Sequence, residues 1–282
     1  MIAVGVGLAL AAAAIHATWN VLLKVSGDPL LTFRRATLLA GVIATLVLVP
    51  ELLIFGWPTV RIAAVALCVL SSVLETAYLV LLSNAYRRGE ISAVYPIARG
   101  SAPLIAVVIG LVLLGEKLST EQLLGVGLLL IGILAVALSQ AGGRATYPAL
   151  LTGVAIASYT AVDRVGVRMT APWFYAWLLF TLMAIELPIV LAIAGRFRPS
   201  GAREEAPPWT KSALIGVGMF SGYFLVLWAL SLAPLAVVAP VRETSIVAIA
   251  AWGVWQMHER RGAALKLTGA AVTLAGVALL AL

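Results

Sequence analysis

Apolar runs follow one another down the chain with few charges inside them, and each is about as long as a bilayer is thick. A helix crossing the hydrocarbon needs about 20 mostly apolar residues. Ten such runs fit: 2–23, 30–50, 62–86, 92–114, 122–139, three that open near 148, 172 and 212, then 236–257 and 263–282. At that length ten helices use roughly 200 residues, so the 282-residue chain keeps only short connections. Hydrophobic residues make up 62% against 11% charged, and mean hydropathy is +1.07. That balance excludes a soluble domain of this size. Lipid offers the backbone no hydrogen-bond partner, so the runs are read as helices. A transmembrane barrel would alternate apolar and polar over ~10-residue strands, and no such alternation is present. Pro and Gly at the junctions, such as Asp28-Pro29 and Gly142-Gly143, mark ends and turns.

The net charge of +7 and pI of about 9.9 fit topology better than a nucleic-acid partner. With the runs numbered as above, Lys24, Arg34, Arg35, Arg87, Arg88, Arg144, Arg196, Arg198, Arg203, Lys211, Arg260, Arg261 and Lys266 fall on one side. Only Arg61, Lys117, Arg164 and Arg168 fall near the other. Cationic loops stay cytoplasmic, which places both termini on the periplasmic side of a bacterial-type inner membrane. The first run lacks a basic leader and continues at full spanning length, so it reads as a span and not a signal peptide. The lone Cys68 leaves no internal disulfide and is read as a packing residue.

A shift of 144 positions lays the fourth and fifth runs over the ninth and tenth. Pro96 then falls on Pro240, Ser101 on Ser245, Gly125 on Gly269 and Gly132 on Gly276, and Glu116 meets Glu259 after a one-residue gap. Five spans per unit is an odd number, so the second unit enters the membrane upside down. Inverted repeats of this kind build many secondary transporters, with the substrate near the midplane between the units. The expected fold is an all-α integral membrane protein: ten helices in two inverted five-helix repeats, residues 1–141 and 142–282, around a central cavity. Its walls are expected from the first, third, fourth, sixth, eighth and ninth spans.

The stretch Tyr95-Pro96 through Pro103, then Leu113-Leu114-Gly115-Glu116-Lys117-Leu118-Ser119, then Gln122 and Gly125 through Gly132, resembles the EamA domain signature. A second copy runs from Pro240 to Glu259, with Gly269 and Gly276, and Gln256-Met257-His258-Glu259 replaces the usual leucine-glycine-glutamate. The resemblance covers essentially the whole chain as two EamA units of the drug/metabolite transporter superfamily. Length, span number and inner-face aromatics are similar to YddG-type amino-acid exporters. The resemblance implies a secondary transporter exporting a small metabolite, foremost an amino acid, by alternating access. Four gating helices would rock about Pro96 and Pro240. Superfamily members also carry drugs, sugars and nucleotide sugars, so another solute class stays open. An intramembrane enzyme or a passive channel fits less well, because no nucleophile, metal cluster or continuous polar face is visible.

A charge at the bilayer centre costs about 2.5–3.5 kcal/mol, so each one present needs a partner or water. Glu75, Arg99, Glu186, Arg242 and Glu243 lie inside runs, with His16, Asn20 and Asp163 beside them in kind. Arg99 follows Tyr95 and Pro96. It can hold a substrate carboxylate through a two-pronged bond, or it can pair with Glu75 or Glu243 to lock the bundle. Pro240, Arg242 and Glu243 offer the same combination from the other unit. Glu75 and Tyr78 share a polar face with Ser71 and Leu82, where Glu75 is either a proton-coupling carboxylate or a structural counter-ion. Trp19, Tyr159 and Trp228 fall inside runs and suit an apolar pocket, whereas Trp57, Trp173, Tyr175 and Trp209 lie near run ends as interfacial belt residues. The expected substrate-binding set is therefore Trp19, Asn20, Glu75, Tyr78, Tyr95, Arg99, Tyr159, Trp228, Arg242 and Glu243, with Pro96 and Pro240 as hinges. Gly125, Gly132, Gly269 and Gly276 form a close-packing seam, and Gly115-Glu116-Lys117 sits at a run end as a cap or gate. No phosphate loop, zinc spacing or hydrolase elbow appears, so neither cofactor nor metal is expected. The partners are a small-molecule substrate and the lipid bilayer, with no nucleic acid and a monomer as the working unit.

Overall fold

A computed structural model describes residues 1–24, 28–88, 91–138, 146–195, 208–245 and 263–281. Ten α-helices lie among them: α1 (Ile2–Lys24), α2 (Pro29–Phe55), α3 (Ile62–Arg88), α4 (Ile91–Val108), α5 (Thr120–Leu138), α6 (Thr146–Gly166), α7 (Pro172–Gly195), α8 (Trp209–Leu232), α9 (Leu235–Arg242) and α10 (Ala263–Ala281). Seven of them, α1, α2, α3, α5, α6, α7 and α8, are long and apolar enough to cross a membrane, while α4 and α10 carry shorter apolar stretches. The remainder of the run expected at 236–257, together with Gly142-Gly143 and Glu259, lies outside the described residues. Burial is inverted relative to a soluble protein: Leu46, Leu53, Ile62, Val112 and Leu274 are exposed, while Ser71, Arg99, Asp163 and Arg242 are buried. That is the pattern of a multi-pass membrane protein, where lipid replaces water around the rim.

Local chemistry sets the helix ends. Asp28 Oδ1 accepts from Leu31 N at 2.7 Å, and Pro29 opens α2 where no helical partner for its missing N–H is needed. The expected end of this span at Pro50 is corrected: α2 runs through Pro50 to Phe55 and stops at Gly56, whose φ is +70°. A proline removes one intrahelical bond, and a helix in lipid keeps its other bonds because the backbone has no alternative partner. Pro188 is carried inside α7 in the same way.

The helices pack in a pattern of pairs: α1 on α8, α3 on α6, α2 on α7 and α8, α3 on α7, α4 on α6, α1 on α9, α4 on α9, and α5 on α10. Replacing each helix by the one five places along maps these pairs onto one another or onto themselves, whereas α4 on α5 has no α9–α10 counterpart among the described residues. The α5–α10 seam is the glycine stripe. A Cβ on Gly132 would meet Thr273 Oγ1 and stand 2.5 Å from the Gly269 carbonyl, and one on Gly276 would stand 2.7 Å from the Gly125 carbonyl. The two helices touch backbone to backbone, so only glycine fits. By contrast Gly127, on the same helix, has nothing within 4 Å. Overpacking costs about 1–3 kcal/mol. Gly132→Ala is therefore expected to lower the thermal midpoint of the detergent-solubilised protein by several degrees while Gly127→Ala leaves it unchanged; equal midpoints for the two variants would contradict the seam.

Candidate functional site

Three charges meet where α4 packs on α9. Arg99 is 1% exposed and Glu243 2%, and Arg99 Nη1 donates to Glu243 Oε1 at 3.1 Å. Arg242 Nε donates to the same oxygen at 3.2 Å. Arg99 Nη2 also donates to Tyr78 OH at 3.0 Å and contacts His16 Nε2. A guanidinium has no acceptor, so His16 presents a ring lone pair and is neutral. Arg242 Nη2 donates to Tyr159 OH at 3.1 Å, and the Tyr159 and Tyr223 rings lie 5.8 and 5.7 Å from its Cζ. Each arginine thus takes a carboxylate, a phenol and an aromatic ring. Glu243 at α9's end and Pro240 one turn earlier, buried within α9, hold this arrangement at the helix terminus.

Beside this cluster lies a cavity walled by α1 (Ala12, His16, Trp19), α3 (Glu75, Tyr78, Leu79), α6 (Tyr159), α7 (Phe180, Met183), α8 (Met219, Gly222, Tyr223, Val226) and Arg242 of α9. Its volume open to water is about 40 Å³. One water needs ~10–15 Å³ on this measure, so the cavity holds a few waters and its side chains are nearly closed around it. Two charged atoms on its walls have no hydrogen-bond partner: Arg242 Nη1 and Glu75 Oε1. Glu75 is 6% exposed and Arg242 4%. Unpartnered polar atoms this deep are costly, which makes them candidates for a ligand. Behind the wall Asp163 accepts from Tyr175 OH at 2.9 Å and from Tyr223 OH. Glu186 accepts from Ser72 Oγ at 2.7 Å and Thr76 Oγ1 at 3.1 Å.

Trp19, Glu75, Tyr78, Tyr159 and Arg242, all singled out from the sequence, come together in the cavity wall. Arg99 and Glu243 sit behind it, so of the two roles open to Arg99 its direct contacts are those of a structural pair. Two expected residues are placed elsewhere. Trp228 is 45% exposed and packs on Phe224, because it lies across α8 from the wall residues Met219, Tyr223 and Val226. Asn20 turns its amide back to the His16 carbonyl at 2.8 Å and lines no part of the cavity. The side chains of Tyr95 and Pro96 lie outside the described residues. Tyr175, read as a belt residue, is corrected: it is 1% exposed and bonded to Asp163. The described wall also draws on α7 and not on α4, contrary to the expected set of spans. Phe180, Met183 and Tyr223 were missed because they look like ordinary residues of an apolar run.

A second cluster closes the end of the bundle where α4 stops. There the chain widens into a π-turn, with Leu114 N bonded to Ile109 O at 3.0 Å, and Gly115 takes a φ of +62°. This turn carries Glu116 onto the start of α9, where its carboxylate accepts from Leu235 N at 2.7 Å and Ala236 N at 3.0 Å. Arg164 at the end of α6 donates from Nε to Glu116 at 2.9 Å and from Nη1 to the Leu230 carbonyl near the end of α8. A carboxylate over free N–H groups at a helix start is favoured by their donors and by the helix dipole.

Residues 3–138, which carry the first five helices, match the model of the EamA-like transporter family. The match ends at residue 138, and a second such unit over 142–282 rests on the sequence repeat. No curated protein matches the chain. A solved crystal structure shares the fold, with a TM-score of 0.67 at 16% identity over 98% of this chain and 97% of that one. Charge-assisted bonds contribute about 1.5–3 kcal/mol each. Glu116→Gln, which keeps the shape and removes the charge, is therefore expected to lower unfolding stability by about 2–4 kcal/mol. Gly110→Ala should do the same, since its Cβ would stand 2.6 Å from Glu116 Oε2; thermal unfolding of both variants in detergent checks this, and a wild-type midpoint for either would contradict it.

Proposed function

We propose that this chain is a secondary transporter that moves a small zwitterion, foremost an amino acid, out of the cell by alternating access. The observation that carries the reading is a pair of buried atoms without hydrogen-bond partners, Arg242 Nη1 and Glu75 Oε1, on two residues of opposite charge type that line one cavity. An α-carboxylate matches the guanidinium and an α-ammonium matches the carboxylate. The remaining wall, including Trp19, Phe180, Met183 and Met219, is apolar or aromatic and suits an uncharged side chain. A cavity of about 40 Å³ is too small for such a cargo without side-chain movement, as expected of a closed state between two open ones.

In this reading the chain is two inverted five-helix repeats, 1–141 and 142–282, in a bacterial-type inner membrane with both termini periplasmic, and Pro96 and Pro240 are the hinges. Two features support the repeat: Arg99 and Glu243, bonded to each other, are themselves 144 positions apart, and the pairs α1–α8 and α3–α6, α2–α8 and α3–α7, and α4–α6 and α1–α9 interchange when halves are swapped. Kinship with YddG-type amino-acid exporters belongs to the same proposal.

Counterflow in proteoliposomes against a panel of amino acids tests the cargo. Neutral amino acids with apolar side chains are expected to exchange, and Arg242→Gln is expected to cut exchange by about 10- to 100-fold, the worth of one or two charge-assisted bonds. If no amino acid exchanges, the cargo is wrong and sugars, nucleotide sugars and drugs move ahead.

A further inference from the structure

Three tyrosine rings lie at nearly one distance from a buried guanidinium. The Tyr78 ring is 5.9 Å from Arg99 Cζ, and the Tyr159 and Tyr223 rings are 5.8 and 5.7 Å from Arg242 Cζ. Two of these phenols accept from the arginine beside them: Tyr78 OH from Arg99 Nη2 at 3.0 Å, and Tyr159 OH from Arg242 Nη2 at 3.1 Å. Tyr223 breaks the pattern. Its hydroxyl donates to Asp163 Oδ2, and Arg242 Nη1 has no partner.

Asp163 lies on α6, is 0% exposed and is not among the residues that line the cavity. It gives one oxygen to each of two phenols, Oδ1 to Tyr175 OH of α7 at 2.9 Å and Oδ2 to Tyr223 OH of α8. The Tyr175 ring fits there because residue 166 is glycine: a Cβ on Gly166 would stand 2.7 Å from the Tyr175 hydroxyl oxygen. A bond from a phenol to a carboxylate is stronger than one between neutral groups. It fixes where the Tyr223 oxygen lies, while the ring itself stays beside the guanidinium.

We infer that Asp163 is a positioning residue for the cargo carboxylate: by holding the Tyr223 hydroxyl it keeps that oxygen off Arg242 and leaves Nη1 for the cargo. This rests on the zwitterionic cargo proposed above. The guanidinium is then fixed by Glu243 on Nε, by Tyr159 on Nη2 and by two rings, with one nitrogen in reserve. Without the carboxylate, the Tyr223 oxygen is an acceptor beside a buried N–H that lacks one, and leaving such a donor unmet is costly. The phenol then takes Nη1 as its two counterparts take Nη2, and cargo has to displace it.

A double-mutant cycle on L-phenylalanine counterflow in proteoliposomes, read as KM and maximal rate, tests this. Asp163→Asn offers Tyr223 a neutral, weaker acceptor and is expected to raise KM about tenfold, the worth of one charge-assisted bond, with little change in maximal rate. In a Tyr223→Phe background, where residue 223 has no oxygen to give Arg242, the same substitution is expected to cost nothing further. Tyr175→Phe removes the other bond to the same carboxylate and is expected to keep the wild-type KM. Asp163→Leu, of similar size and unable to accept, takes the place of Asp163→Asn if the amide does not fold, with the same expectations. A KM that Asp163→Asn leaves unmoved, an equal rise in both backgrounds, or an equal rise in Tyr175→Phe makes Asp163 a structural tie between α6, α7 and α8; each overturns the inference and leaves the cargo standing. A wild type that exchanges no amino acid overturns the cargo and this inference with it.

Discussion

The interaction on which the rest depends is the buried Arg99–Glu243–Arg242 cluster. Three charges have been taken out of water at the junction of α4 and α9, and each is tolerable only because the others are there. Removing one partner from such a group typically costs about 3–5 kcal/mol, since it strands an uncompensated charge. The geometry also divides the labour. Arg99 gives its bonds to Glu243, Tyr78 and His16, which ties α4 to α1 and α3. Arg242 needs only part of its fork for Glu243 and Tyr159, and its Nη1 is left without a partner on a residue that lines the cavity. One helix end therefore both locks the bundle and supplies the proposed carboxylate site.

The other end of α9 is held by Glu116. Leu235 and Ala236 begin the helix under that carboxylate, and Arg242 ends it within the charge cluster. The helix between these anchors is eight residues long, all of them buried. A segment fixed at both ends by charge-assisted bonds moves by breaking one set or the other. In the proposed alternating access this matters because Arg242, the proposed binding group, and the capped helix start belong to the same short rod.

Much of this is legible in the sequence, and for one reason. In lipid each charge carries a cost, so Glu75, Arg99, Arg242 and Glu243 stand out by residue type and position alone. The glycine seam is legible because a glycine every seven residues keeps one helix face bare enough for a second backbone to approach. Orientation is not legible. Spans apolar on every side give no signal for which face turns inward, so the sequence favours Trp228 for the pocket and passes over Tyr223, five residues earlier. Position near a run end suggests a belt for Tyr175, but Asp163 draws its hydroxyl into the core. Pro50 looks like a stop because the rule for proline comes from helices that can give their broken bonds to water. Glu116 reads as a cap, yet the helix it caps lies more than a hundred residues away.

The most direct measurement is a structure of the protein with L-phenylalanine bound. The account predicts the carboxylate within hydrogen-bond distance of Arg242 Nη1, the ammonium against Glu75, and the ring among Phe180, Met183 and Met219. Ligand bound away from that cavity, or in it with both Arg242 and Glu75 untouched, would contradict it.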